Sequence, residues 1–177
     1  MRSNRAGPRQ RQKWSGFTLV EVLLVVVIMG VLSVVVVDTG LREWRREQTN
    51  ALTLQLAGWL ETVRRAALRG SNCTATLNTG ILSTGAQVAS ANASGCLSNA
   101  PLVVDPSHDN MSFNLSSTAS TVTFTPRGTI SSEVDPIIIT VSLQPSGPSR
   151  CINISGLLGL IRIGNPAAGN CSADQRF

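Results

Sequence analysis

The chain has 177 residues, 42% of them apolar, and a formal charge of +5 from 15 basic and 10 acidic residues. This positive excess would ordinarily suggest a nucleic-acid partner, but it is concentrated before Gly16, in Arg2, Arg5, Arg9, Arg11 and Lys13. Without those five residues the chain holds equal numbers of basic and acidic residues, so its overall charge does not indicate a polyanion-binding protein.

A nearly unbroken apolar run follows, from Val22 to Val37. About 20 apolar residues can span a bilayer as a helix, so the run predicts a transmembrane segment. Basic residues before it favour a cytoplasmic N-terminus, with the rest of the chain across the membrane. Glu21 opens the run, and an acidic residue costs about 2.5 to 3.5 kcal/mol at the bilayer centre. This carboxylate therefore requires a partner.

Two simpler interpretations of the run explain less. A secretory signal has an apolar core of about 7 to 15 residues and a small-x-small cleavage site, whereas this run is longer and no Ala-x-Ala follows it. A plain single-span anchor explains the length of the run. It does not explain why Glu21 stands so close to Gly16, since intramembrane charges are usually functional.

The helical pattern continues beyond the run. Apolar residues recur at helical spacing and predict one apolar face that packs on a soluble domain: Leu41, Trp44, Leu52, Leu56, Trp59, Leu60, Val63 and Ala67. We therefore expect one helix over residues 17–69, which ends at Gly70-Ser71-Asn72 because glycine and asparagine commonly terminate helices.

Short β-prone runs separated by small polar residues occupy the rest of the chain. The predicted strands are Thr74–Leu77, Thr121–Thr125, Ile137–Leu143, Cys151–Ser155 and Leu160–Ile163. Residues 78–120 are rich in small polar residues and predict long loops with two short strands. The predicted fold class is α+β, with a leader (1–16), a long N-terminal helix (17–69) packed on a small antiparallel β-sheet domain (70–177), and a transmembrane first half of that helix.

Four cysteines lie in the β-rich part of the chain. Of three possible connectivities, the simplest pairs Cys73 with Cys96 and Cys151 with Cys171. Oxidation is expected if this part lies outside the cytoplasm. Zinc is the alternative, but there is no Cys-x-x-Cys spacing and His108 is the single histidine, so we predict disulfides, no metal site and a loop position for His108.

Catalytic motifs are missing from the sequence. It has no Gly-x-Ser-x-Gly elbow, no glycine-rich phosphate loop with a lysine, and no convincing arrangement of histidine and cysteine. We therefore predict neither an enzyme nor a cofactor.

The order Gly16-Phe17-Thr18-Leu19-Val20-Glu21, followed by the apolar run, resembles type IV prepilins and type II secretion pseudopilins. The resemblance implies that a prepilin peptidase cuts after Gly16 and methylates the new N-terminus at Phe17. It also implies that Glu21 meets the N-terminal amine of a neighbouring subunit in the filament. The location would be the bacterial inner membrane, with the C-terminal domain outside the cytoplasm, and then a pilus or pseudopilus.

A second resemblance is carried by the β-rich part. The long helix, the runs Thr123–Thr129 and Ile138–Val141, and the strand Arg150–Ser155 are similar to the minor pilin and pseudopilin group of FimT and GspH. This resemblance implies a helix packed against antiparallel β-sheets. Many major pilins have a proline at the place of Asp38, and its absence here favours a minor subunit.

Some members of that group bind DNA through a C-terminal Gly-Arg-x-Arg element. The nearest match here is Gly159-Leu160-Ile161-Arg162, which has leucine in place of the first arginine. The β-rich part holds four arginines against five acidic residues and no lysine, whereas phosphate binding uses clustered cations. Arg162 is thus a nucleic-acid candidate with little electrostatic support.

Together these observations predict a minor pilin-like structural subunit of a type IV pilus. A type II secretion pseudopilin is the first alternative, and a DNA-binding minor pilin active in DNA uptake is the second. The expected partners are the prepilin peptidase, other pilin or pseudopilin subunits and the inner membrane.

Overall fold

A computed structural model of the protein describes residues 16–92, 96, 101–106, 111–131, 135–156, 158–167 and 169–173, without the side chains at 34–36, 38 and 173. The leader before Gly16 and His108 lie outside the described residues. The chain divides into two compact units, residues 1–40 and 41–177.

The helix α1 extends over Leu19–Ala67. Thr18 precedes it, and its Oγ1 accepts a hydrogen bond from the backbone N–H of Glu21 over 3.3 Å, which satisfies a donor that has no partner within the helix. After Ala67 the chain turns, and Gly70 takes a φ of 117°, a conformation that side chains with a Cβ disfavour. The glycine stop signal was thus correctly located, and the helix ends two residues before it was expected to.

The predicted transmembrane half of this helix is not supported. Among the described residues no helix is long and apolar enough to cross a membrane.

The described residues of the second unit form ten strands. They are β1 (Cys73–Leu77), β2 (Gly80–Ser83), β3 (Gln87–Ala91), β4 (Leu102–Val103), β5 (Ser112–Ser117), β6 (Thr121–Phe124), β7 (Ile137–Leu143), β8 (Ser149–Ser155), β9 (Leu160–Ala167) and β10 (Asn170–Ala173). A four-stranded sheet has the order β4-β3-β1-β6, and a six-stranded sheet the order β10-β9-β8-β7-β5-β2. Every pairing is antiparallel, so the expected α+β fold is present.

All five predicted strands exist, with shifts of a few residues at their ends. The region 78–120 contains more strand than expected, because β2, β3, β4 and β5 all fall within it. These strands are rich in glycine, alanine, serine and asparagine, which have little β preference of their own. Pairing to neighbouring strands supports them: β3 lies beside β1, and β5 beside β7.

One apolar cluster joins the second part of α1 to both sheets. The helix contributes Leu52, Leu56, Leu60, Val63 and Ala67, whose side chains are fully inaccessible or nearly so. Leu41 and Trp44 were predicted on the same face, but they are 54% and 48% exposed. The buried face begins at Thr49, whose hydroxyl lies 3.5 Å from the carbonyl of Pro148, so helical spacing alone extended the predicted face too far towards the N-terminus.

A single arginine links this helix to two turns of the β-domain. Arg64 donates from Nε to the carbonyl of Gly128 and from Nη2 to the carbonyl of Leu158, each over 3.0 Å. Its Nη1 lies 3.4 Å from Glu61. A charged donor bound to two backbone carbonyls fixes the turn after β6 and the turn after β8 against the same helical residue.

We expect Arg64→Ala to lower the free energy of unfolding by about 2 kcal/mol, because a partly buried carbonyl at Gly128 and an exposed one at Leu158 lose a charged donor. Arg65→Ala is the matched control, since Arg65 also pairs with Glu61 but its side chain is 74% exposed; we expect it to change stability by less than about 0.5 kcal/mol. Denaturant unfolding followed by circular dichroism measures both. Equal losses in the two variants would show that the bonds to the turns contribute nothing.

Candidate assembly site

The first turn of α1 carries the acidic residue that the sequence singled out. Glu21 is exposed and is the third residue of the helix, where the partial positive charge of the helix N-terminus favours a carboxylate. Thr18 and Glu21 also have the spacing of a capping box, of which the structure shows the threonine half. This local signal was overlooked in the sequence, where Glu21 was considered for its charge alone.

Glu21 lies on an apolar stripe of the helix. Val25, Ile28 and Leu32 follow it at intervals of four, three and four residues, which places all four on one face. Val25, Ile28, Met29 and Leu32 line a shallow groove of about 450 Å³. The carboxylate is therefore aligned with an apolar surface and stands at its N-terminal end.

The apolar side chains of the first unit have no cover within that unit. Those described from Leu19 to Leu32 are between 46% and 80% exposed. Soluble monomers rarely expose contiguous apolar patches larger than a few hundred Å², and larger ones mark surfaces that contact another molecule. This segment, residues 19–32, is the candidate assembly site.

The peptide bond between Gly16 and Phe17 lies just before the helix. Gly16 and Phe17 are both exposed, Phe17 by 81%, and no atom lies within 4 Å of the position that a Cβ of Gly16 would take. Residues 16–18 are not helical. An enzyme that cleaves after Gly16 would thus meet an accessible, non-helical stretch of chain.

The candidate nucleic-acid residue lies elsewhere, on β9. Arg162 is exposed and pairs in register with Asn153 of β8. Gly159, the other retained residue of that element, has a φ of 56°, and a Cβ there would come within 2.1 Å of the carbonyl oxygen of Gly128. The close approach of two turns therefore requires a glycine at this position.

Both disulfides that the sequence favoured are present in the structure. Cys73 is bonded to Cys96, and Cys151 to Cys171, with S–S distances of 2.04 and 2.07 Å. All four are buried. Within the described part of the chain, no three histidine, cysteine or acidic side chains come together as a metal site would require.

A search of protein-family models matches residues 52–158 to the family described as type II transport protein GspH. The chain belongs to the GspH family. It is therefore a member of the pseudopilin and minor pilin superfamily, as the sequence predicted. No curated protein and no solved structure matches the chain.

Membership in the GspH family agrees with the architecture of the second unit. The match begins at Leu52, where the helix starts to bury large apolar side chains, and ends at Leu158, whose carbonyl accepts from Arg64. GspH proteins are structural pseudopilin subunits and not enzymes. The match does not include Gly16, Phe17 or Glu21, so their roles depend on the motif itself.

The close approach of Gly159 to Gly128 can be tested by two alanine substitutions. We expect Gly159→Ala to cost more than 2 kcal/mol of stability, because the new methyl group collides with a backbone carbonyl in addition to a left-handed strain of about 1 kcal/mol. Gly169→Ala is the matched control: Gly169 also has a positive φ, of 84°, but its Cβ would meet no atom within 4 Å. Thermal unfolding compares them, and equal losses would contradict the collision.

Proposed function

We propose that this chain is a minor subunit of a pilus-like filament and is incorporated through its N-terminal helix. The observation that supports the proposal most directly is the exposed apolar stripe of the first unit, with Glu21 at its N-terminal end. Neighbouring subunits that present similar helices would cover this stripe and remove its apolar side chains from water. Membership in the GspH family supports such a pilin-like role.

Glu21 would serve as the charged contact of this assembly. Cleavage by prepilin peptidase after Gly16 would create an amine at Phe17, which is then methylated. A carboxylate buried among apolar helices is costly alone and tolerated when it is paired. The amine of one subunit and Glu21 of its neighbour would satisfy each other, and a subunit lacking either group would leave the other unpaired.

The description of the family favours a type II secretion pseudopilus as the host machine, because the matched family is named for type II transport. A type IV pilus remains the alternative, since the processing motif is common to both machines. In either case we place the chain at the bacterial inner membrane before assembly, with the β-domain outside the cytoplasm. Two disulfides in that domain fit an oxidising compartment.

DNA is not included in the proposal. Arg162 is exposed, but Arg64 and Arg150 in the same unit bind carbonyl and amide oxygens of the protein. The glycine that completed the resemblance has a packing role next to Gly128. The exposed side chain of Arg162 is thus the one observation that still favours DNA binding.

Processing at Gly16 is tested by substitution at the cleavage junction. With prepilin peptidase present, we expect Gly16→Val to leave the leader attached, because the branched side chain would obstruct the scissile bond, and Gly16→Ala to slow cleavage. Gly30→Val is the control. It adds the same side-chain volume within the apolar run, where no atom lies within 4 Å of the position that a Cβ of Gly30 would take, and it should be processed normally. Intact mass measurements distinguish the chain with the leader from the chain without it. Normal processing of both Gly16 variants would refute cleavage after Gly16.

Assembly through Glu21 is tested by Glu21→Ala and Glu21→Gln. Loss of one member of a buried ion pair costs about 3 to 5 kcal/mol, so we expect incorporation into filaments to fall at least tenfold while membrane association is retained. Glu47→Ala is the control, because Glu47 is an exposed acidic residue of the same helix. Immunoblots of sheared filaments and membrane fractions give the two quantities. Unchanged incorporation of both Glu21 variants would exclude the pairing.

A further inference from the structure

A polar groove in the second unit has no role in the assembly proposed above. It has a volume of about 410 Å³, which is within the usual range for ligand sites. Its lining residues come from α1, from the chain entering β8 and from β9: Glu43, Arg46, Asn50, Pro148, Ser149, Arg150 and Asn165. Two arginines and one glutamate give it a formal charge of +1.

Arg150 is held in place inside this groove. Its Nη1 donates to Oδ1 of Asn165 over 2.8 Å, and its Nε donates to Oδ1 of Asn50 over 2.5 Å. The guanidinium is thus oriented by one amide from the helix and one from β9. A cation whose orientation is already fixed loses less conformational entropy when an anion binds.

Arg46 is the adaptable charge of the groove. It lies 3.9 Å from Glu43, and the two side chains are 69% and 74% exposed. An exposed pair at that distance contributes at most about 1 kcal/mol. Arg46 can therefore exchange Glu43 for a better-placed carboxylate at little cost, and Glu43 acts as a weak internal competitor.

We propose that this groove binds a carboxylate carried by a polar peptide segment of another filament subunit. Planar guanidinium groups match the two oxygens of a carboxylate. Phosphate sites commonly use a helix N-terminus or successive backbone N–H groups, whereas the charged groups here are side chains from the interior of α1 and from a strand. The volume exceeds that of a carboxylate, and the polar lining suits a peptide as its carrier. The inference depends on the proposed function, since it takes another subunit as that carrier.

The direct test is peptide binding to the full-length chain in detergent micelles. The probe is the capped peptide acetyl-Gly-Ser-Glu-Ser-Gly-amide, and the control peptide has glutamine in place of glutamate. Saturation-transfer NMR detects weak binding to a large particle. We expect a saturable signal for the glutamate peptide, at least a threefold weaker one for the glutamine peptide, and displacement by acetate at lower concentration than by inorganic phosphate.

Substitutions in the groove locate the site. Arg46→Gln should weaken binding about two- to fivefold, the range for one exposed charge contact. Arg65→Gln removes the same charge from an exposed position that pairs with Glu61, and it should leave binding unchanged. Glu43→Gln should strengthen binding by removing the competitor. None of these side chains belongs to the buried cluster, so the fold is retained.

Equal binding of the two peptides, or equal losses with Arg46→Gln and Arg65→Gln, would overturn the inference. Preferential displacement by phosphate would overturn the choice of carboxylate. These outcomes are separable from a failure of the proposed function. If the Glu21 variants assemble normally, the proposed function is refuted, and peptide binding to the groove can still be measured. If assembly depends on Glu21 but the chain shows no preference for the glutamate peptide, only the groove inference is refuted.

Discussion

Burial of one helical face between Leu52 and Ala67 is the constraint on which the second unit depends. Each sheet has an apolar face, and the helix supplies side chains that belong to the same cluster as both of them. Short strands such as β2 and β4 have little stability of their own, so they require this cover. Truncating a fully buried leucine in such a cluster typically costs about 2 to 5 kcal/mol.

Before Gly40 the same helix differs in the exposure of its apolar side chains. Its described apolar side chains in the first unit are exposed, and a hydrogen bond from Glu21 to Thr18 starts the helix locally. The second part of the helix thus completes a core within the chain, whereas the described apolar side chains of the first part stay exposed.

The sequence predicted those parts of the fold in which a residue pattern determines burial. Alternation in Ile137–Leu143 is reproduced by alternating buried and half-buried side chains, and the order of the cysteines along the chain gave the observed pairs. Where propensity was weak the prediction was poorer: β2 and β3 contain glycine, serine and alanine, which have little β preference, and their pairing partners determine their conformation. The predicted packing of Leu41 and Trp44 was wrong, because helical periodicity does not show where the surface that covers the helix ends.

The site was predictable to a similar extent. The order of residues from Gly16 to Glu21 identified the processing and assembly candidates, but the groove at Arg46 and Arg150 combines residues about 100 positions apart in sequence. No local pattern signals such a meeting, because each arginine alone resembles an ordinary surface charge. Gly159, which matched part of a binding element, has a packing requirement that the sequence does not show, because the carbonyl of Gly128 lies against it.

The positions of the disulfides have a mechanical consequence. Cys73–Cys96 and Cys151–Cys171 close short loops of 23 and 20 residues, and both lie wholly after the helix. Apart from the backbone between Ala67 and Cys73, no covalent bond in the described residues ties α1 to the sheets. Beyond that single connection, the helix is held against the β-domain by side-chain packing and by single hydrogen-bonded residues such as Arg64. The disulfides reinforce the displayed domain, while the joint between helix and domain can yield under load without breaking a bond of the backbone or of sulfur.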